Sequence, residues 1–445
     1  VGAGKGSRTA WLVWAAALVA YAVAILHRTS FGVSGIEAAQ RFGVSATVLS
    51  TFVMVQLTVY ATMQVPSGLL LDRFGSRVMI AAGALLMAAG QAVLAVSHAL
   101  GLAYLARVMI GAGDAATFIA VIRLVALWFP PQRVPVLTQL SGVLGQTGQV
   151  ASALPLVALL HARGWTTAFG GLAAVGVLAA ALTLLAVRDS PTGKVPPGPS
   201  VGVLAPVREV AREPGTWLGF WSHAVSQFPL NVFLLAWGYP FLLAEGLSAA
   251  TAGMIMTVAV GASVVSGPVV GVLTGRHPLR RSWIVLTTAV AVALTWAAVL
   301  VQPGPAPVWM LALLAAALGV GGPASLVGFD FARSFNSPVR LGTATGLVNG
   351  GGFIFAVLAI FVVGVTLDAH PGTPMSLEAF RAAFAVQAVP WLIAVLGVLA
   401  ARRRTRRLMA ERGVVVPPVR AVLARRRDGR AVEGLGSGSD ADPGA

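Results

Sequence analysis

Twelve runs of mostly apolar residues, each long enough to cross a bilayer, leave this chain few ways to fold. They cover 10–36, 46–71, 78–97, 100–129, 134–160, 166–187, 216–243, 249–274, 282–301, 307–334, 340–367 and 378–401. A spanning helix needs about 20 such residues. In lipid the backbone must satisfy its own hydrogen bonds, which restricts a spanning segment to a helix or a closed barrel. From the length and apolarity of these runs, an all-α membrane protein with twelve transmembrane helices is expected. Composition agrees, with 57% hydrophobic residues, 10% charged residues and a mean hydropathy of +0.83, values outside the range of soluble domains.

A formal net charge of +16 suggests nucleic acid until its distribution is examined. With the N-terminus placed inside, 26 of the 31 Lys and Arg fall in inner connections and the tail; Arg41, Arg163 and Arg381 fall outside, and Arg28 and Arg107 lie within helices. This asymmetry predicts both termini in the cytoplasm. The run "ARRRTRRLMAERG" from Ala401 then reads as a stop signal that contacts anionic lipid at the cytoplasmic face, with no nucleic-acid partner. The chain has no cysteine, no Asn-x-Ser/Thr sequon, and 29 Arg against 2 Lys. Those features suggest a GC-rich bacterial genome and an inner-membrane, multi-pass protein.

The stretch "RDSPTGKVPPGPSVGVLAPVREVAREPG" (188–215), rich in Pro, Gly and charge, reads as a cytoplasmic linker between two halves. The halves repeat. "GVSATVLSTFVMV" (43–55) lies over "GLSAATAGMIMTV" (246–258) and "GLLLDRFGSR" (68–77) over "GVLTGRHPLR" (271–280), both at an offset of 203; Gly111, Gly113 and Pro130 lie over Gly319, Gly321 and Pro338 at 208. The expected organisation is an N-terminal six-helix bundle (1–187), the linker (188–215), a pseudo-symmetric C-terminal six-helix bundle (216–401) and a basic, disordered tail (402–445). Parallel repeats about an axis along the membrane normal place a binding site at the midplane between bundles, with alternating access by rocking. That arrangement predicts a transporter and not an enzyme.

"GLLLDRFGSR" resembles the signature loop of the major facilitator superfamily, Gly-x-x-x-Asp-Arg-x-Gly-x-Arg, at Gly68, Asp72, Arg73, Gly75 and Arg77. The resemblance implies a charge-relay latch that stabilises the outward-facing state. The second copy retains Arg276 and Arg280 but has Gly275 where the aspartate would lie, which implies a weaker latch. "RVMIGAG" (Arg107, Gly111, Gly113) resembles the family's second motif, Arg-x-x-x-Gly-x-Gly. With Asp114 and the following Trp-Phe-Pro, this helix is similar to the organic-anion branch of anion:cation symporters and organophosphate exchangers. That branch often carries Asp-Arg-x-Asn in the first helix; here "HRTS" stands there, so Arg28 matches and His27 departs.

A charge near the bilayer centre is costly unless it faces the bundle interior or a wet cavity. Arg28 is therefore either a forked donor for a carboxylate or phosphate or a structural partner of Asp114 or of a carbonyl. Asp114, in the middle of helix four, is the candidate proton carrier or else one end of a fixed salt bridge; His27, about 100° away from Arg28 around the helix, handles protons or is simply buried. Polar residues at helical spacing mark further substrate-lining candidates: His223, Gln227 and Asn231 on helix seven, Gln56, Tyr60 and Gln64 on helix two, Gln146 and Gln149 on helix five. Asp330 and Arg333, in the repeat position beside Arg123, suggest an inner gate. Glycine runs on helices five and eleven, "SGVLGQTG" and "TGLVNGGGF", loosely resemble nitrate transporters, but helices two and eight carry no arginine of the kind that resemblance implies for clamping nitrate.

The expected function is proton-coupled symport of a small carboxylate- or phosphate-bearing anion by a monomer, with the proton gradient as energy source and no cofactor or metal. The alternatives are efflux of an amphipathic compound or lipid, which the aromatic helix seven would suit, and a non-transporting sensor or scaffold.

Overall fold

The computed structural model describes residues 7–44, 46–191, 204–371, 373 and 375–416, and among these it is all-helical, without strands. The middle of the linker (192–203) and the tail beyond 416 lie outside the described residues. In the N-terminal half the helices are α1 (Arg8–Val33), α2 (Gly35–Phe42), α3 (Ala46–Thr62), α4 (Gln64–Val96), α5 (Leu100–Trp128), α6 (Val134–Gly145), α7 (Thr147–Ala151) and α8 (Val157–Ala186). A short helix, α9 (Leu204–Arg212), closes the linker. The C-terminal half has α10 (Pro214–Val232), α11 (Gly238–Ala244), α12 (Ala249–Arg276), α13 (Ser282–Leu300), α14 (Val308–Phe335), α15 (Leu341–Ala369), α16 (Leu377–Val386) and α17 (Ala388–Glu411).

Among the described residues, ten continuous helical segments are long and apolar enough to span a membrane, where the sequence suggested twelve runs. Two glycines explain part of the difference. Gly75 and Gly164 take φ of +80° and +77°, which turns the chain inside what is otherwise continuous helix. A side chain is excluded at Gly75, because a Cβ there would sit 2.6 Å from the Asp189 carboxylate. The second apolar run is likewise divided, between α3 and the start of α4. At the other end the last helix continues to Glu411, past the expected boundary at 401. Val398, Ala401 and Thr405 are buried at helical spacing, and Arg402 covers the Trp283 ring, so the basic run begins as packed helix.

Lipid supplies no hydrophobic drive between helices, so small residues govern contact and large aliphatics face outward. Leu185, Val265, Leu178 and Leu294 are exposed, while Gly83 and Gly113 bring α4 and α5 into backbone contact. On the face away from the linker, arginines cap helix ends. Arg41 donates to the carbonyls of Ser97 (2.9 Å) and Ala95 (3.1 Å) at the end of α4. Arg381 does the same for Gln302 and Gly304, both at 2.6 Å, after α13. Cations there neutralise the negative end of the helix dipole, which accounts for two of the three arginines on that face. Beside Arg381, the Glu245 carboxylate accepts from the Ala306 N–H at 2.6 Å, and burial pushes its pKa up against the pull of that bond and of Arg381.

The halves meet along two seams near the linker side. In the first, Gly68 and Gln64 of α4 meet the backbone of Gly342 and Gly346 of α15. Asp72 closes this seam by accepting from Gly342 N, Thr343 N and Thr343 Oγ1, each at 2.7 Å. These are free N–H groups at the positive start of a helix, a natural anion seat. The second seam sets Gly267, Gly271 and Gly275 of α12 against α6, with Gly275 over the Gln132 carbonyl and Gly271 over Pro135 and Val136. A wedge in the first seam should therefore be costly. Gly68→Ala is expected to destabilise the protein by about 1–3 kcal/mol and lower its thermal unfolding temperature. Gly101→Ala, where a Cβ meets open space, should leave that temperature unchanged.

Candidate functional site

Helices α1 and α5 cross so that one turn of each presents a charge to the other. Arg28 Nε donates to Asp114 Oδ2 at 2.6 Å and Nη2 to Oδ1 at 2.9 Å, a fork-to-fork pair. The two ends differ in access: the Asp114 side chain is 1% exposed and that of Arg28 is 21% exposed. The Arg28 guanidinium also lies 4.9 Å from the centre of the Tyr60 ring. The structural partnership that the sequence left open for Arg28 is thus made, with part of the cation still reachable. A charge-assisted pair of this geometry is strong, and removing one partner would strand the other in a dry interior.

Beneath the pair, toward the linker side, aromatic rings from both halves make a floor. Phe118 of α5 meets Phe329 of α14 at 5.6 Å, Tyr21 backs Phe118 at 5.0 Å, and Tyr60 meets Phe353 of α15 at 4.5 Å. Below the floor lies a void of about 10 Å³ lined by Ile122, Thr138, Phe329, Asp330, Arg333 and Thr345, room for about one water. Arg333 and Asp330 pair there at 2.9 Å, between the halves.

The other candidates fall in several places. His27 is buried on another face of α1, where a Cβ on Gly176 of α8 would lie 2.8 Å from its ring, and its ring nitrogens have no hydrogen-bond partner among the described residues. Arg107 is buried with its guanidinium 4.9 Å from the Phe31 ring. Gly111 packs on the Gln56 backbone, and Gln56 itself is buried. The helix-seven stripe closes within its own half: His223 Nδ1 faces the Ser325 carbonyl at 3.1 Å, Ser325 Oγ donates to Gln227 Oε1 at 2.8 Å, and Gln227 Nε2 donates to Asn231 Oδ1 at 2.9 Å. Gln146 and Gln149 are exposed at the break between α6 and α7. Tyr60 and Gln64 are buried in the seam, both bonded to Asn349.

Of the loop residues, Asp72 is joined by buried Arg123, whose Nη1 donates to the Leu71 carbonyl at 3.0 Å. Arg77 N donates to Asp189 Oδ1 at 3.0 Å and its guanidinium to the Leu184 carbonyl, tying the turn at Gly75 to the end of α8. Arg73 lies over Phe74. In the repeat, Arg276 is exposed and Arg280 half-buried. The neighbouring Arg281 is the one tucked in, donating to Pro278 O and Ser334 Oγ, each at 2.8 Å. Sequence reasoning missed Asn349, Arg281 and Asp189. Asn349 carried a signal, a lone amide within a glycine run, but its partners sit nearly 290 residues away.

Two overlapping segments, 17–244 and 220–427, match the model of the Major Facilitator Superfamily, and the second begins 203 residues after the first. A putative tartrate transporter of Agrobacterium vitis is 26% identical over 182 residues, 39% of this chain and 40% of that protein. The probable nitrate/nitrite transporter NarK2 of Mycobacterium tuberculosis is 28% identical over 344 residues, 74% of this chain and 82% of that protein. The uncharacterized transporter YybO of Bacillus subtilis is 32% identical over 152 residues, 34% of this chain and 35% of that protein. With matches that together run through most of its length, this chain is a multi-pass membrane transporter belonging to the Major Facilitator Superfamily.

Proposed function

We propose that this protein is a proton-coupled symporter of a small organic anion, working by rocker-switch alternating access. The observation that carries the reading is the fork of Arg28, filled by Asp114 yet partly exposed. A cargo carboxylate or phosphate needs the same two donor positions that Asp114 occupies. While Asp114 is ionised the cargo competes with it; once Asp114 takes a proton, its claim on Arg28 falls to that of a neutral acid and the fork is freed. Anion and proton therefore bind together, and each leaves more readily when the other has left. Linkage requires the effect to be reciprocal.

The rest of the machinery follows from the seams. With Asp72 on the start of α15 and the aromatic floor closed, the linker side is sealed and cargo reaches Arg28 from the opposite face. Rocking of the halves then breaks the Asp72 seam, and Asp330 and Arg333 line the path that opens. Reading Gly75 and Gly164 as turns between crossings, and α3 with the start of α4 as one crossing, gives twelve spans in two six-helix bundles. The excess of Lys and Arg on the linker side puts that side and both termini in the cytoplasm, in a bacterial inner membrane. The relatives named for tartrate and for nitrate/nitrite both point to an anionic cargo. α3 carries no arginine, and the single arginine of α12, Arg276, is its exposed last residue at the linker side, which favours the organic over the inorganic anion. The aromatics of α10, which suited efflux of an amphipathic compound, pack on one another and on α15: Trp217 on Phe220, Phe220 on Trp221, and Trp221 and Phe228 on Phe355.

Proteoliposome uptake of a panel of carboxylates, sugar phosphates and nitrate tests the reading. Asp114→Asn is expected to abolish accumulation driven by an inward proton gradient while anion counterflow persists; retained accumulation would remove Asp114 from coupling. Arg28→Ala should weaken anion binding by about 100-fold or more, the usual cost of deleting one member of a buried charge pair. Arg28→Lys should recover only part of that, because a point charge cannot reproduce the fork. Uptake of amphipathic cations with no response to anions would overturn the assignment.

A further inference from the structure

Tyr60 touches three things in three directions. Its ring face carries the Arg28 guanidinium at 4.9 Å. Its ring also meets that of Phe353 of the opposite half, tilted by 58° with the centres 4.5 Å apart. Its hydroxyl accepts from Asn349 Nδ2 of α15 at 3.1 Å. The orientation of that amide is fixed by its surroundings. Gln64 Nε2 donates to the Tyr60 carbonyl at 3.1 Å, which leaves Gln64 Oε1 as an acceptor, and Asn349 Nδ2 supplies its other hydrogen there at 2.8 Å. All three side chains are buried, at 2%, 0% and 1% exposure for Tyr60, Gln64 and Asn349. Asn349 stands two turns along α15 from Gly342 and Thr343, the residues Asp72 holds. The α15 seam is thus fastened at two levels, and the upper fastening touches the cation of the candidate site.

We infer that Tyr60 is a positioning residue that passes the pairing state of Arg28 to the seam between the halves, through its hydroxyl and Asn349. The inference rests on Arg28 being the group that changes partner during the cycle. While Asp114 holds Arg28 over the ring, the phenol is sandwiched between that cation and Phe353 and its oxygen is set for Asn349. When Arg28 leaves Asp114, the ring loses one wall of the sandwich and the hydroxyl moves off the amide. A buried amide hydrogen without an acceptor is costly, so the upper fastening weakens just when the site is freed. Opening on the linker side thereby depends on what Arg28 is doing, which is the requirement for coupling.

The chain has no cysteine, so spin labels on Val78→Cys and Ser337→Cys, two exposed linker-side positions in opposite halves, report the seam cleanly. The distance distribution is measured by double electron–electron resonance in lipid nanodiscs without cargo. Tyr60→Phe keeps the ring and removes the acceptor; it is expected to raise the open fraction about tenfold, the scale of one lost buried hydrogen bond. Asn349→Ala, which also removes the bond to Gln64, should raise it at least as much, and the double variant should match Asn349→Ala alone, because the Tyr60 bond is already absent there. Asp114→Asn, which releases Arg28, should also raise the open fraction when Tyr60 is present and add nothing in Tyr60→Phe. An open fraction in Tyr60→Phe equal to that of the parent overturns the inference. So do additive effects of Tyr60→Phe and Asn349→Ala, or of Tyr60→Phe and Asp114→Asn, since a merely structural contact would give independent contributions. Because no cargo is used, these outcomes stand apart from the anion-symport assignment, which the uptake panel decides.

Discussion

A guanidinium and a carboxylate facing each other inside a bundle of apolar helices is the constraint on which the site depends. Either charge alone in this setting would be strongly unfavourable; together, in fork-to-fork geometry, they are tolerated. Arg28 and Asp114 consequently fix how α1 and α5 cross, and the ring of Tyr60 packs against the pair. The arrangement also has a weakness that suits a transporter. Its stability depends on Asp114 being ionised, so a proton, or an anion that offers Arg28 an equivalent fork, can release it.

The two seams on the linker side are built differently although they stem from one repeat. Where the first half has Asp72, the second has Gly275. The helix start facing each position is matched to it. α15 offers the N–H groups of Gly342 and Thr343 and a threonine hydroxyl, all accepted by Asp72. The start of α6 instead carries Pro135, which has no N–H to give, and the glycines of α12 pack closely on it. One seam is therefore a directional polar latch and the other a close, smooth contact. The loss of the aspartate is accompanied by loss of an N–H at Pro135 and of any hydroxyl on Val136 beside it, which argues for divided labour between the seams instead of decay of one copy.

Much of this was legible in the sequence, and what was not has a common cause. The membrane class, the repeat, the Asp72 loop and the choice of Arg28 and Asp114 as central charges all rest on local pattern or on a charge in an apolar run, which one helix suffices to reveal. The breaks at Gly75 and Gly164 were legible too, because each glycine with positive φ lies in a short polar stretch between apolar runs; less legible was the division of the second run between α3 and α4, which no polar break marks. The roles of stripe residues were least legible. His223, Gln227 and Asn231 share a helix face as their spacing required, yet whether that face meets cargo or Ser325 depends on a helix about 100 residues away. Gln146 and Gln149 have the spacing of a stripe, but Gln146 is the break between α6 and α7 and Gln149 lies within the short α7. Asn349 reads as part of a glycine run until Tyr60 and Gln64 are seen opposite it.

The central claim is that cargo and Asp114 exchange places on Arg28, so that one proton enters with each anion bound. Calorimetric titration of the purified protein with the tightest-binding anion of the uptake panel, repeated in buffers of different ionisation enthalpy at neutral pH, counts that proton directly. The account predicts uptake of about one proton per anion bound, falling to none in Asp114→Asn, as binding linkage requires. Anion binding with no proton uptake in the parent protein, at a pH where Asp114 is ionised, would contradict it.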